Sequence, residues 1–183
     1  MISMKKTLIT LGLTLGTLTG VAHANTGSIN FHGQVTAGTC SIEIVDPTTG
    51  LPLSRVLMGN VPASNFEAVG TEFGTRAFSM RVTPGTNCVT ASKTGVVTFT
   101  GAYGAAGAAS DLHALEPGSA AGLALAIKDN AGTLIANGSD SRDYDLDDTN
   151  PTDMLFSASY RSTAATVTAG TANTDIAYVF TLK

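Results

Sequence analysis

The stretch GSINFHGQVTAGTC, residues 27–40, sets Gly27, Ile29, Phe31, Gly33 and Val35 in strict alternation with polar residues. A period of two marks a strand with one covered face. Two of the five covered positions are glycine, which leaves gaps where the pattern calls for bulk. On the residues alone, the simplest reading is an ordinary first strand paired within its own sheet.

The same period recurs along the chain. Phe78, Met80 and Val82 alternate, as do Val97 and Phe99, and Leu123, Leu125 and Ile127. Met154, Phe156, Ala158 and Tyr160 follow, and the end of the chain alternates Ile176, Tyr178, Phe180 and Leu182. Between these runs lie turn-formers: DPTTGLP at 46–52, TPGTN at 83–87, DNAG at 129–132, NGSDS at 137–141 and DDTNP at 147–151. Many short strands punctuated in this way predict an all-β antiparallel sandwich or barrel. The best helix candidate is VPASNFEAVG at 61–70, where Ser64 could cap about one turn. The Ala/Gly-rich segment 101–122 has no β-branched residue and reads as a long surface connection.

The beginning of the chain is of another kind. Lys5 and Lys6 precede an apolar run from Leu8 to Val21, and Ala22 and Ala24 occupy the two positions that a signal peptidase reads. Residues 1–24 are expected to be a signal peptide, cleaved after Ala24. The run is shorter than the ~20 residues that span a bilayer. Cleavage would leave 159 of the 183 residues, with eight basic side chains against fourteen acidic ones. Such a chain offers nucleic acid no basic face. In an exported protein the two cysteines, Cys40 and Cys88, read as one disulfide, since a metal pair lacks histidines at ligand spacing.

Chemistry is hard to place. Only His32 and His113 remain after the signal, neither within a nucleophile motif, and each reads as a solvated or edge-strand side chain. Asp143, Asp145 and Asp147 match positions one, three and five of a calcium loop. Position six is Asp148 and position twelve is Met154, so the run reads as a solvated acidic loop. Asn137-Gly138-Ser139 matches a glycosylation acceptor in composition only. No catalytic residue, metal ligand or cofactor site is assigned.

Taken in order, the segments resemble the fimbrial subunits of the chaperone–usher, type 1 pilin family. The resemblance is carried by INFHGQVTAGTCSI at 29–42, VLMGNVPASNF at 56–66 and FSMRVTPGTNC at 78–88. It continues through VVTFTG at 96–101, AGLALAIKDNAGTLIANG at 121–138 and ATVTAGTANTDIAYVFTL at 165–182. The resemblance implies an incomplete immunoglobulin-like antiparallel β-sandwich, completed by a donor strand from another subunit. Residues 25–39 would be the N-terminal donor-strand extension and residues 40–183 the pilin domain. Gly27, Ile29, Phe31, Gly33 and Val35 would form the donor face, with Gly33 at a narrow place in the neighbour's groove. Gly170, fourteenth from the C-terminus, with Ile176, Tyr178, Phe180 and Leu182, would form the receiving strand. The family usually has Tyr at the penultimate position. Here Leu182 stands there, and Tyr178 lies four residues earlier.

The resemblance also implies partners: neighbouring fimbrial subunits, a periplasmic chaperone and an outer-membrane usher, on a route through the periplasm to the cell surface. The expected role is a non-enzymatic structural subunit supporting adhesion. With only fifteen residues ahead of Cys40, an adaptor place is expected in preference to that of a major subunit. The competing function is a single-domain adhesin for a host glycan or protein, using an exposed aromatic beside an acid at Tyr103 or Tyr144.

Overall fold

The computed structural model describes residues 40–183. The expected signal peptide with Ala22 and Ala24, and the extension with Gly27, Ile29, Phe31, Gly33 and Val35, lie outside the described residues.

The described residues form nine strands: β1 (Ser41–Val45), β2 (Glu72–Thr83), β3 (Thr94–Gly101), β4 (Ala105–Ala106), β5 (Leu112–His113), β6 (Leu123–Asp129), β7 (Tyr144–Asp145), β8 (Thr152–Ser162) and β9 (Ile176–Leu182). They make two sheets, ordered β1-β2-β8-β6-β5-β4 and β7-β3-β9. Every pairing is antiparallel. The period-two runs fall on β2, β3, β6, β8 and β9, so the alternation read in the sequence is the in-and-out alternation of real strands.

Register explains the core. Phe78 stands opposite Phe156 and Met80 opposite Met154, while Leu125 faces Tyr160 and Ile127 faces Ala158 across the next seam. All eight project to one side and are buried. Phe156 is the hub: its ring centroid lies 5.7 Å from Phe78, 5.1 Å from Phe99 and 5.2 Å from Tyr144. Phe99 belongs to the other sheet, so this edge-to-face contact ties the layers together. On the outer face polar pairs replace apolar ones, with Arg81 gripping Asp153 through two bonds of 2.7 and 2.8 Å.

Three local expectations are corrected. Segment 101–122 is not a bare connection: it folds back as β4 and β5 and extends the large sheet. Leu112 of β5 packs with Ala124 and Ala126 of β6, and with Ala106 and Leu134 beside them, in a second small core. His113 is neither solvated nor at an edge; it is fully buried in β5, between β4 and β6. The helix candidate shrinks to a 3-10 turn, Ala63–Asn65. Pro62 stands at its N-cap without a side-chain hydrogen bond, and Ser64 lies inside the turn.

Cys40 and Cys88 form the disulfide, with Cα atoms 4.5 Å apart, and anchor the start of β1 to the turn that follows β2. Two outcomes are expected. Phe156→Ala should cost about 3–5 kcal/mol by emptying the hub, read as a fall in unfolding midpoint of about 2–4 °C per kcal/mol. Cys40→Ser should cost about 2–4 kcal/mol in urea unfolding, because the closed loop of 48 residues no longer restricts the unfolded chain.

Candidate functional site: the open face of the last strand

β9 pairs with β3 from Gly95 opposite Leu182 to Gly101 opposite Ile176, and β3 is its only strand partner among the described residues. Ile176, Tyr178, Phe180 and Leu182 point toward the core and touch it, yet each remains half-buried. No residue of β9 is buried, whereas most of β3 beside it is. The same half-cover appears on the other sheet. Ile42 and Ile44 of β1, then Leu53, Val56, Met58 and Val61 in the chain beyond it, pack on this core and stay partly open. Among the described residues, two half-covered apolar rows on one core describe a sandwich open along one side.

The opening deepens ahead of β9 into a cavity of about 520 Å³, lined among others by Val61, Phe66, Leu123, Tyr160, Val167 and Ala172. Its walls are pinned by hydrogen bonds that a sequence pattern does not display. The Tyr160 hydroxyl donates to the Ala172 carbonyl. The N–H groups of Ala120 and Glu116 donate to Thr171 and Asn173 at 2.7 and 2.8 Å. Gly170 lies on the cavity wall, six residues ahead of β9. A Cβ there would stand 3.1 Å from the nitrogen of Ala120, so a side chain would push against the wall. At the far end Phe180 lies over Gly95, where a Cβ would come within 2.7 Å of the ring.

Charges gather at the end of the strand. The Lys183 ammonium lies 3.5 Å from Asp140 and 3.7 Å from Asp143. The Thr98 hydroxyl, with Lys183 behind it, holds the Asp140 carboxyl below its ordinary range. Asp147 closes its own turn by accepting the N–H groups of Thr149 and Asn150, which hold its carboxyl low. The aspartates of the acidic run are thus engaged separately: Asp143 faces Lys183, Asp145 is exposed on β7 and Asp147 serves its turn.

Of the two aromatics considered for glycan binding, Tyr144 is 8% exposed and belongs to the core. Tyr103 is 37% exposed, with its hydroxyl 3.2 Å from Asp175. Asn137 is committed inward: its Oδ1 accepts the Gly101 N–H at 2.8 Å and contacts His113, so it is a structural residue. The inward turn of Asn137 and His113 carries no period-two signature, which is why the sequence reading missed them.

Comparison with known proteins agrees with this architecture. The sequence profile of the family described as Fimbrial protein matches residues 29–183. The chain is 31% identical over 172 residues to the probable major fimbrial subunit LpfA of Escherichia coli O157:H7, covering 92% of this chain and 90% of that protein. It is 26% identical over 176 residues to the long polar fimbria protein A of Salmonella typhimurium, covering 94% of each. Among solved structures, the antigen and type I fimbria protein of Burkholderia pseudomallei is 33% identical with a TM-score of 0.55, over 79% of this chain and 88% of that one. The P pilus rod subunit PapA shares the fold at 20% identity, with a TM-score of 0.61 over 80% of this chain and all of that one. With its immunoglobulin-like antiparallel sandwich and a profile match over residues 29–183, this chain belongs to the fimbrial protein family, the structural, non-enzymatic subunits of fimbriae.

Proposed function

We propose that the protein polymerises by donor-strand exchange, with residues 25–39 of one copy closing the open side of the next. The observation that carries this reading is the half-cover of Ile176, Tyr178, Phe180 and Leu182 on a strand paired along one edge. An added strand would meet a row of free backbone groups and four partly exposed apolar side chains, the physical basis of strand addition. Antiparallel insertion keeps the sheet uniform and forms the slightly stronger ladder. It would set Val35 at the Gly170 end, over the cavity, and Gly27 toward Leu182. The nine residues from Gly27 to Val35 span about 30 Å when extended, enough to run the length of β9 and reach the cavity.

In this reading residues 1–24 direct export and are removed after Ala24. Before assembly a periplasmic chaperone covers the same groove, with the C-terminal carboxylate of Lys183 open to its basic residues, and an outer-membrane usher passes the subunit to the surface. Head-to-tail contacts of this kind do not close on themselves, so they build a filament.

Two observations bear on its place in that filament. The fifteen-residue extension favours an adaptor that joins unlike subunits. The printed name of the 31% identical relative, a probable major fimbrial subunit, favours a subunit that repeats. The two places differ in one property: a repeating subunit accepts its own extension.

Expression of the chain with its chaperone, with and without residues 25–33, tests the mechanism. The intact chain should form SDS-resistant, heat-labile multimers and the truncated one should not; equal polymerisation by both would refute the donor assignment. Multimers of this chain alone mark a repeating subunit, whereas multimers that form only with other fimbrial subunits mark an adaptor. Gly33→Leu should block multimer formation and leave the yield of chaperone complex unchanged, because only the donor role uses that position.

A further inference from the structure

His113 on β5 is completely buried, and no part of the groove uses it. Its Nδ1 lies 3.0 Å from Oδ1 of Asn137. That oxygen also accepts the Gly101 N–H, which fixes the amide with its oxygen toward the ring. The ring must therefore donate from Nδ1, leaving Nε2 a bare acceptor. Among the described residues the buried Nε2 has no partner. Protonating it would create a buried N–H that no described group receives, and a charge away from bulk solvent.

The surrounding elements hold several titratable groups. Asp111 and Glu116 lie on the ring's own segment, Tyr103 on the preceding turn, and Lys128 and Asp129 on β6. Asp140 follows the Asn137 turn, and Asp175 and Tyr178 lie at the head of β9, while β3 and β4 carry none. None of them bonds the ring. Burial holds the imidazole below its ordinary range, opposed only by the contact with Asn137.

We propose that His113 is an acid-sensitive latch: protonation of its Nε2 opens the β4–β5 hairpin, and with it the cavity wall ahead of β9. The connection is a series of hydrogen bonds. Ala105 of β4 pairs with His113, and the Ala114 N–H donates to Gly104 at 3.0 Å. The Ala102 N–H donates to Asp175, and the Thr174 hydroxyl to Ala114, at 2.8 and 2.7 Å. Glu116 and Ala120 then hold Asn173 and Thr171, and Thr171, Ala172 and Asn173 line the cavity. β4 and β5 are two residues each, so few ladder bonds stand against opening.

The direction follows from linkage. A histidine kept neutral by the closed state stabilises that state above the pH where the free imidazole titrates, near 6.5, and the stabilisation is lost as pH falls. Between about pH 7.5 and about pH 5.5 the open population should rise, by up to about tenfold. The latch acts whether or not a strand fills the groove.

Amide hydrogen exchange on the full chain, corrected for the intrinsic pH dependence of exchange, tests it. Protection at Ala102, Ala114, Glu116 and Ala120 should fall, by up to about tenfold, over that pH range, while amides in β2 and β8 keep theirs. His113→Asn keeps a donor near the position of Nδ1 and cannot ionise, so its protection should not change with pH. Unchanged protection in the wild type, the same pH dependence in His113→Asn, or a parallel loss throughout β2 and β8 would overturn the latch. Should the variant fail to fold, the imidazole nitrogen shifts of the wild-type chain decide. A neutral Nδ1–H ring at about pH 5.5 in the closed hairpin supports the latch, and an imidazolium there refutes it.

Discussion

The last strand carries a row of apolar side chains that its own domain covers only halfway. Ile176, Tyr178, Phe180 and Leu182 rest on a core that Phe156 and its neighbours complete from the other side, and among the described residues β3 is the one strand beside them. Covering side chains of this size the rest of the way is worth roughly 1 kcal/mol each by area. The backbone edge adds a ladder of unmade hydrogen bonds. Among the described residues no second strand covers that edge, which is the physical ground of the proposed strand exchange.

For such an opening to persist, the remainder must resist collapse into it. The two sheets are joined through Phe156, which meets Phe78 on its own sheet and Phe99 on the other. The disulfide holds β1 at its register on β2, so that sheet edge cannot slide across the gap. Ahead of β9, hydrogen bonds between 114–120 and 171–174 tie these two segments together on the cavity wall. Gly95 and Gly170 act at the two ends. One lets the Phe180 ring lie down on β3, and the other lets the chain pass close to Ala120.

The long strands were legible because each has one face against a core and one against water or polar partners, and that difference is written as a period of two. The rows of Phe78, Phe99, Phe156 and Phe180 were read this way, and so was the pairing of Cys40 with Cys88, since an exported chain with two cysteines leaves little else for them to do. β4, β5 and β7 were not legible. Two-residue strands have no period, and alanine and glycine give no strand signal, so tertiary packing on Ala124 and Ala126 decides the hairpin. The inward turn of His113 and Asn137 has the same origin: a polar residue is buried only where a partner far along the chain receives it.

The sequence by itself determined the class of fold, the strands that build its core and the family to which the chain belongs. These depend on local alternation and on the order of segments, both of which are carried residue by residue. Only the tertiary structure decided that β9 lies at a sheet edge among the described residues, that a cavity lies ahead of it beside Gly170, and that His113 is buried on β5. Each depends on which distant residues come to lie side by side, and burial, edge position and orphaned nitrogen atoms exist only once they do.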